Sequence, residues 1–140
     1  MILDHLGIAV RSLETSLKFY RDLLGLEVQG PEEVAGEGVR IAFLPVGEST
    51  IELLEPIGPD SSIARFLAKR GEGIHHVCLR VPRIDEALAA LRGKGAEIIE
   101  PAPRIGAGGR KVAFIHPRST GGVLLELVES PEIAGRSHGA

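Results

Sequence analysis

The stretch Gly73-Ile74-His75-His76-Val77-Cys78-Leu79-Arg80-Val81 sets imidazoles into a run that otherwise reads as a buried β-strand. A second run of the same kind lies near the start, Asp4-His5-Leu6-Gly7-Ile8-Ala9-Val10. Aligning the two puts His5 on His76 and Val10 on Val81, 71 residues apart, and the offset holds further along, where Ala42-Phe43 falls on Ala113-Phe114. The ends of the halves, Ile51-Glu52-Leu53-Leu54-Glu55 and Leu125-Glu126-Leu127-Val128-Glu129, match at an offset of 74 residues. Three extra residues therefore lie between Phe114 and Glu126, and the loop Pro117-Arg118-Ser119-Thr120-Gly121-Gly122 is the natural place for them. Each half thus carries one His early and one Glu late, both inside apolar strands.

Working outward, each half reads βαβββ, giving an α+β chain. In Ile2 to Val10, His5, Gly7 and Ala9 share one face and Leu6, Ile8 and Val10 the other. Ser12 is placed to cap a helix with an apolar stripe at Leu13, Leu17, Tyr20 and Leu24, ended by Gly25. Leu26 to Gln29 starts a second strand that Gly30-Pro31 breaks; Val39 to Val46 and Thr50 to Pro56 complete module one, about residues 1–57. A linker helix at about 59–71, capped by Asp60 or Ser61, carries Ile63, Phe66 and Leu67 on one stripe. Module two, about 73–130, repeats the order: a strand His75 to Val81, a helix striped by Ile84, Leu88 and Leu91, then strands at Ala96 to Glu100, Lys111 to His116 and Gly122 to Glu129. The tail 131–140 is polar and expected to fray.

Bulk properties narrow the function. At 140 residues the chain has the size of one domain, built here from two modules. A net charge of −3 with both signs interspersed gives no field for a nucleic acid backbone and no polybasic membrane patch. The single cysteine, Cys78, cannot form an internal disulfide, and no apolar run approaches the roughly 20 residues of a membrane span, so a cytoplasmic protein is expected.

Carboxylates in apolar runs such as Ile51-Glu52-Leu53-Leu54 and Leu124-Leu125-Glu126-Leu127 need compensation, because burying a lone charge is costly. With a His on the first strand and a Glu on the last strand of each module, a pseudo-twofold packing would converge four side chains on one divalent cation. Strand period selects them: His75 and His76 face opposite ways, and alignment with His5 chooses His76. Glu55 and Glu129, three residues beyond Glu52 and Glu126, fall on the opposite face near strand ends. The expected metal ligands are His5, Glu52, His76 and Glu126. Two imidazoles and two carboxylates suit Co²⁺, Mn²⁺, Ni²⁺, Fe²⁺ or Zn²⁺, and the donor set alone does not rank them. Cys78 reads as a small buried hydrophobe.

These residues resemble the vicinal oxygen chelate superfamily (glyoxalase/bleomycin resistance/dioxygenase), and within it the methylmalonyl-CoA epimerases. The resemblance rests on Asp4 to Val10, Ile51 to Pro56, Asp60 to Ala64, Gly73 to Cys78, Ile105 to Gly109 and, most specifically, His116-Pro117-Arg118-Ser119-Thr120-Gly121-Gly122-Val123-Leu124-Leu125-Glu126-Leu127. It implies a curved mixed β-sheet around a metal site, one divalent ion per chain (cobalt first), a homodimer, and epimerisation of (2R)- and (2S)-methylmalonyl-CoA through a metal-stabilised enolate. It also implies Glu126 as ligand and base. Where some members carry a second glutamate, this chain has Ile41, leaving Glu37 as a substitute, and Glu52 stands where members carry glutamine. The alternatives are a glyoxalase I-type lactoylglutathione lyase and a metal-free ligand-sequestering protein of the same fold.

Overall fold

The computed structural model describes residues 1–133. Among them are eight strands, β1 (Ile2–Ala9), β2 (Gln29–Val34), β3 (Val39–Val46), β4 (Ser49–Pro56), β5 (Gly73–Val81), β6 (Arg104–Ile105), β7 (Lys111–Ile115) and β8 (Leu125–Glu129). Four α-helices accompany them: α1 (Leu13–Leu17), α2 (Ser62–Arg70), α3 (Ile84–Gly93) and α4 (Pro117–Thr120). The chain divides into two compact units, His5–His75 in one, and Met1–Asp4 with the described residues from His76 onward in the other.

In the first unit the strands are ordered β2-β3-β4-β1. The first two junctions are antiparallel, and β1 runs parallel to β4. The second unit repeats the scheme as β5-β8-β7-β6, with β5 parallel to β8 and the other junctions antiparallel. The first and last strands of each repeat are therefore neighbours. That adjacency decides where the histidines and glutamates meet.

Period-2 alternation sorts the apolar residues of each unit by face, and helices cover them. In the first, Val10, Ala42, Leu44 and Leu53 pack with Leu13 of α1, while Ala9, Val39, Ile41 and Leu54 pack with Ile63 and Leu67 of α2. In the second, Val81, Ala113, Ile115 and Leu127 pack with Ile84 and Leu88 of α3. Ser12 caps α1 by accepting the Thr15 N–H at 3.2 Å, and Ser61 caps α2 by accepting the Ala64 N–H at 3.1 Å.

Several boundaries differ from those read in the sequence. The first helix changes after Leu17 to a π-helical turn over Lys18–Leu23, with the Leu24 N–H donating to the Phe19 carbonyl. The wider turn rotates the later residues off the expected stripe, so Leu24 is exposed, and Leu26 packs beside Tyr20 instead. The Gly30-Pro31 break lies inside β2 rather than ending it. Gln29 pairs with Phe43, pairing resumes at Glu32 with Ile41, and Gly30 takes a positive φ of 93° at the irregularity. An edge strand tolerates the missing proline donor, and its glutamates discourage pairing with another chain.

Ala96 to Glu100 forms only one bridge, Ile98 with Ile115, and β6 follows at Arg104–Ile105. The Glu97 N–H is taken by Ser119 Oγ at 2.9 Å, and the Glu97 carbonyl by the His116 N–H, so this backbone is satisfied outside a ladder. The Pro117–Thr120 segment, expected as loop, is a short helix with Pro at its start and His116 Nδ1 accepting the Arg118 N–H at 3.0 Å. β8 begins only at Leu125, after two glycines at positive φ, Gly121 and Gly122. At the start of the expected tail, Pro131–Ile133 forms a 3₁₀ turn with Ile133 buried; residues 134–140 lie outside the described ones.

The outer glutamates have a duplicated task. Glu55 Oε2 accepts the Leu13 N–H at 2.7 Å, and Glu129 Oε2 accepts the Ile84 N–H at 3.1 Å. Each ties the end of a repeat's last strand to the helix that follows its first strand, satisfying one donor of the helix start and pinning the parallel register. Replacing Glu129 by Ala is expected to cost about 1–2 kcal/mol in urea denaturation, with Glu129→Gln, which keeps an acceptor, recovering most of it.

Candidate functional site

His5 leaves β1 on the face shared with Gly7 and Ala9, and Glu52 leaves the adjacent parallel strand β4 in register with Gly7. His5 Nδ1 and Glu52 Oε2 stand 3.2 Å apart, both side chains buried. The second unit builds the same pair. His76 lies on β5 two residues before Cys78, which is in register with Glu126 of β8, and His76 Nε2 is 3.3 Å from Glu126 Oε1. The repeats differ in the imidazole nitrogen they present. They agree in giving the glutamate a small parallel-strand neighbour, Gly7 or Cys78.

Each glutamate also faces a phenylalanine across its antiparallel neighbour, Phe43 opposite Glu52 and Phe114 opposite Glu126. The Phe114 ring meets the His76 imidazole edge-on, with centroids 6.0 Å apart. Cys78 is fully buried with Val112 and Val128, the hydrophobic role expected of it. His75 packs edge-on against Phe66 of α2 at 5.1 Å. Ile41 is core, and Glu37 lies in an exposed 3₁₀ turn, Ala35–Glu37.

Asp4, the residue before His5, was not singled out by sequence reading, although the argument applied to Glu52 fits it: it is a carboxylate inside an apolar strand. It is buried and meets Arg80 Nε at 2.7 Å, while Arg110 Nη1 and Nη2 approach its two oxygens at 3.1 and 3.2 Å. Glu132 joins this cluster. The Ser130 hydroxyl, donating to it, holds the Glu132 carboxyl below the usual range, and Arg110 and Arg80 add to the effect. Asp4 thus forms ion pairs with two guanidiniums. The basic residues beside the Gly-rich turns are likewise matched, Lys111 to Asp85 at 3.6 Å and Arg118 to Glu97 at 3.7 Å. Among the described residues no buried side-chain nitrogen or oxygen is left without a hydrogen-bond partner.

The profile of the Glyoxalase/Bleomycin resistance protein/Dioxygenase superfamily matches residues 4–114, and the chain belongs to that superfamily. Its relatives within it are more particular. The mitochondrial methylmalonyl-CoA epimerase of Bos taurus is 42% identical over 129 residues, covering 91% of this chain and 74% of that protein. A solved methylmalonyl-CoA epimerase in complex with methylmalonyl-CoA and NH₄⁺ matches with a TM-score of 0.86 at 39% identity, covering 92% of this chain and 94% of that one. A probable lactoylglutathione lyase of Synechocystis is 29% identical over 135 residues, covering 93% of this chain and 96% of that protein. The glyoxalase-like fold expected from the sequence is therefore the fold observed. Among the described residues, no helix is long and apolar enough to cross a membrane.

Removing Asp4 tests the charge cluster. Asp4→Ala leaves two guanidiniums facing a vacated buried position and is expected to lower unfolding free energy by about 3 kcal/mol, read from urea denaturation of the metal-free protein.

Proposed function

We propose that the protein is an isomerase, interconverting (2R)- and (2S)-methylmalonyl-CoA by removing and returning the α-proton. The observation that carries this reading is the duplicated, buried imidazole–carboxylate pair, in a chain 42% identical to a methylmalonyl-CoA epimerase and 29% identical to a probable lactoylglutathione lyase.

We assign His5, Glu52, His76 and Glu126 to one divalent ion per chain. Two ligand atoms about 2.1 Å from a shared ion, at an angle between right and tetrahedral, lie about 3.0–3.4 Å apart. The observed spacings of 3.2 and 3.3 Å fall in that range. Nitrogen and oxygen donors without thiolate suit Co²⁺, Mn²⁺, Ni²⁺, Fe²⁺ or Zn²⁺, and the family resemblance puts Co²⁺ first. Such an ion, when bound, supplies Lewis-acid stabilisation for negative charge developing on the substrate thioester oxygen.

The chain's own part is the proton. A Glu126 carboxylate oxygen takes the proton from C2, the C–H electron pair spreads into an enolate, a solvent-derived proton delivered to the opposite face of C2 completes inversion, and Glu126 gives its own proton up to solvent. Phe114 and Cys78 flank Glu126 from the two neighbouring strands, and Cys78 is buried with Val112 and Val128, an apolar setting that limits water around the base. The reading includes a homodimer, on the family resemblance, and a cytoplasmic location, on the single cysteine of the chain.

The test is isotope exchange. Metal-loaded protein incubated with (2S)-methylmalonyl-CoA in D₂O is expected to wash deuterium into C2 while the (2R) epimer accumulates. Absence of exchange, or turnover of the methylglyoxal–glutathione adduct in its place, would overturn the reading. Glu126→Gln is expected to reduce exchange by at least about 10³-fold, more than it weakens metal binding measured by Co²⁺ titration.

A further inference from the structure

We propose that Phe114 sets the upper size of the α-substituent that the acyl-CoA can carry, an inference that rests on the proton-transfer role given to Glu126. Only four phenylalanines occur in the chain, and Phe114 is the one placed directly across the β7–β8 ladder from Glu126. Directly opposed residues on an antiparallel pair hold their Cβ atoms about 5 Å apart. The ring and the carboxylate therefore project side by side from one face of the sheet, and a group on a carbon held at the Glu126 carboxylate extends beside this ring.

The ring is held in place. It meets the His76 imidazole edge-on, at an interplanar angle of 82°. The Arg104 guanidinium lies 5.7 Å from its centroid, and Arg104 is itself fixed by Glu100 Oε1 at 3.0 Å from Nε. Val112, two residues before Phe114 on the same face of β7, is buried with Cys78 and Val128. The α-carbon of a malonyl thioester carries a thioester carbonyl, a carboxylate, a hydrogen and an alkyl group. The first two are polar and the hydrogen points to the base. The alkyl group is the only one that gains by apolar contact, and a rigid half-buried ring beside the base limits its length.

The experiment compares ethylmalonyl-CoA with methylmalonyl-CoA at equal, subsaturating concentrations, following α-hydrogen exchange in D₂O with metal-loaded protein. One methylene in a tight apolar pocket discriminates by about 10–200-fold. In Phe114→Ala the ethyl-to-methyl rate ratio is expected to rise at least about tenfold over wild type, with a smaller rise in Phe114→Leu. The repeat supplies the comparison: Phe43→Ala, across from Glu52, is expected to leave the ratio within about twofold of wild type. Thermal melts of each variant separate folding losses from specificity changes.

An unchanged ratio in both Phe114 variants, with methylmalonyl-CoA still exchanged, overturns the inference and leaves the epimerase reading standing. Folded Phe114 variants inactive on both substrates also overturn it, since the ring would then be needed for turnover itself. If Phe43→Ala shifts the ratio and Phe114→Ala does not, the gate has been assigned to the wrong repeat. Wild-type protein that exchanges neither substrate removes the epimerase reading and this inference together.

Discussion

The structure depends on one constraint: a carboxylate buried in each repeat must be compensated where it lies. Glu52 and Glu126 sit in strands flanked by isoleucine and leucine, where an isolated charge would be too costly to keep. Each finds an imidazole nitrogen at 3.2 or 3.3 Å on the neighbouring parallel strand. That contact requires the first and last strands of a repeat to be adjacent and parallel, and βαβββ topology supplies this by carrying the chain over a helix after the first strand. The same topology creates the second duplicated contact, in which Glu55 and Glu129 hold the helix starts. Two glutamates three residues apart thus serve opposite faces of the sheet. One is kept with histidine, and the other fixes the register that keeps it there.

Around this frame the small residues matter as much as the charged ones. Gly7 and Cys78 stand in register with Glu52 and Glu126, so neither carboxylate is crowded from the parallel side. Phenylalanines close the antiparallel side in both repeats. The asymmetries are equally informative. His5 presents Nδ1 and His76 presents Nε2, and only the second unit adds the buried Asp4 cluster with Arg80 and Arg110. Ile41, packed in the core with Val39 and Leu54, offers no acid on β3.

Much of this was legible in the sequence because duplication doubles every signal. One histidine in an apolar strand says little, whereas His5 and His76 at a fixed offset, each followed by a late glutamate, specify topology and pairing together. Strand period separated His76 from His75 and Glu52 from Glu55 for the same reason: alternate residues face opposite ways. What escaped were features that period cannot encode. The π-helical turn that displaces Leu24 depends on an extra residue per turn. The irregular β2 needs Gly30 and Pro31 on an edge, and Ala96 to Glu100 yields to β6 because its backbone finds partners in the Ser119 hydroxyl and the His116 N–H. Asp4 escaped because its arginine partners lie 76 and 106 residues away, beyond any local pattern.

The proposed sharing of a single ion by the two His–Glu pairs is open to direct measurement. X-ray absorption of the protein loaded with Co²⁺, joined to metal analysis, addresses it most directly. One cobalt per chain is expected, with two imidazoles in its inner shell and oxygen as the remaining neighbours. Two ions per chain, or one ion with a single imidazole, would contradict it.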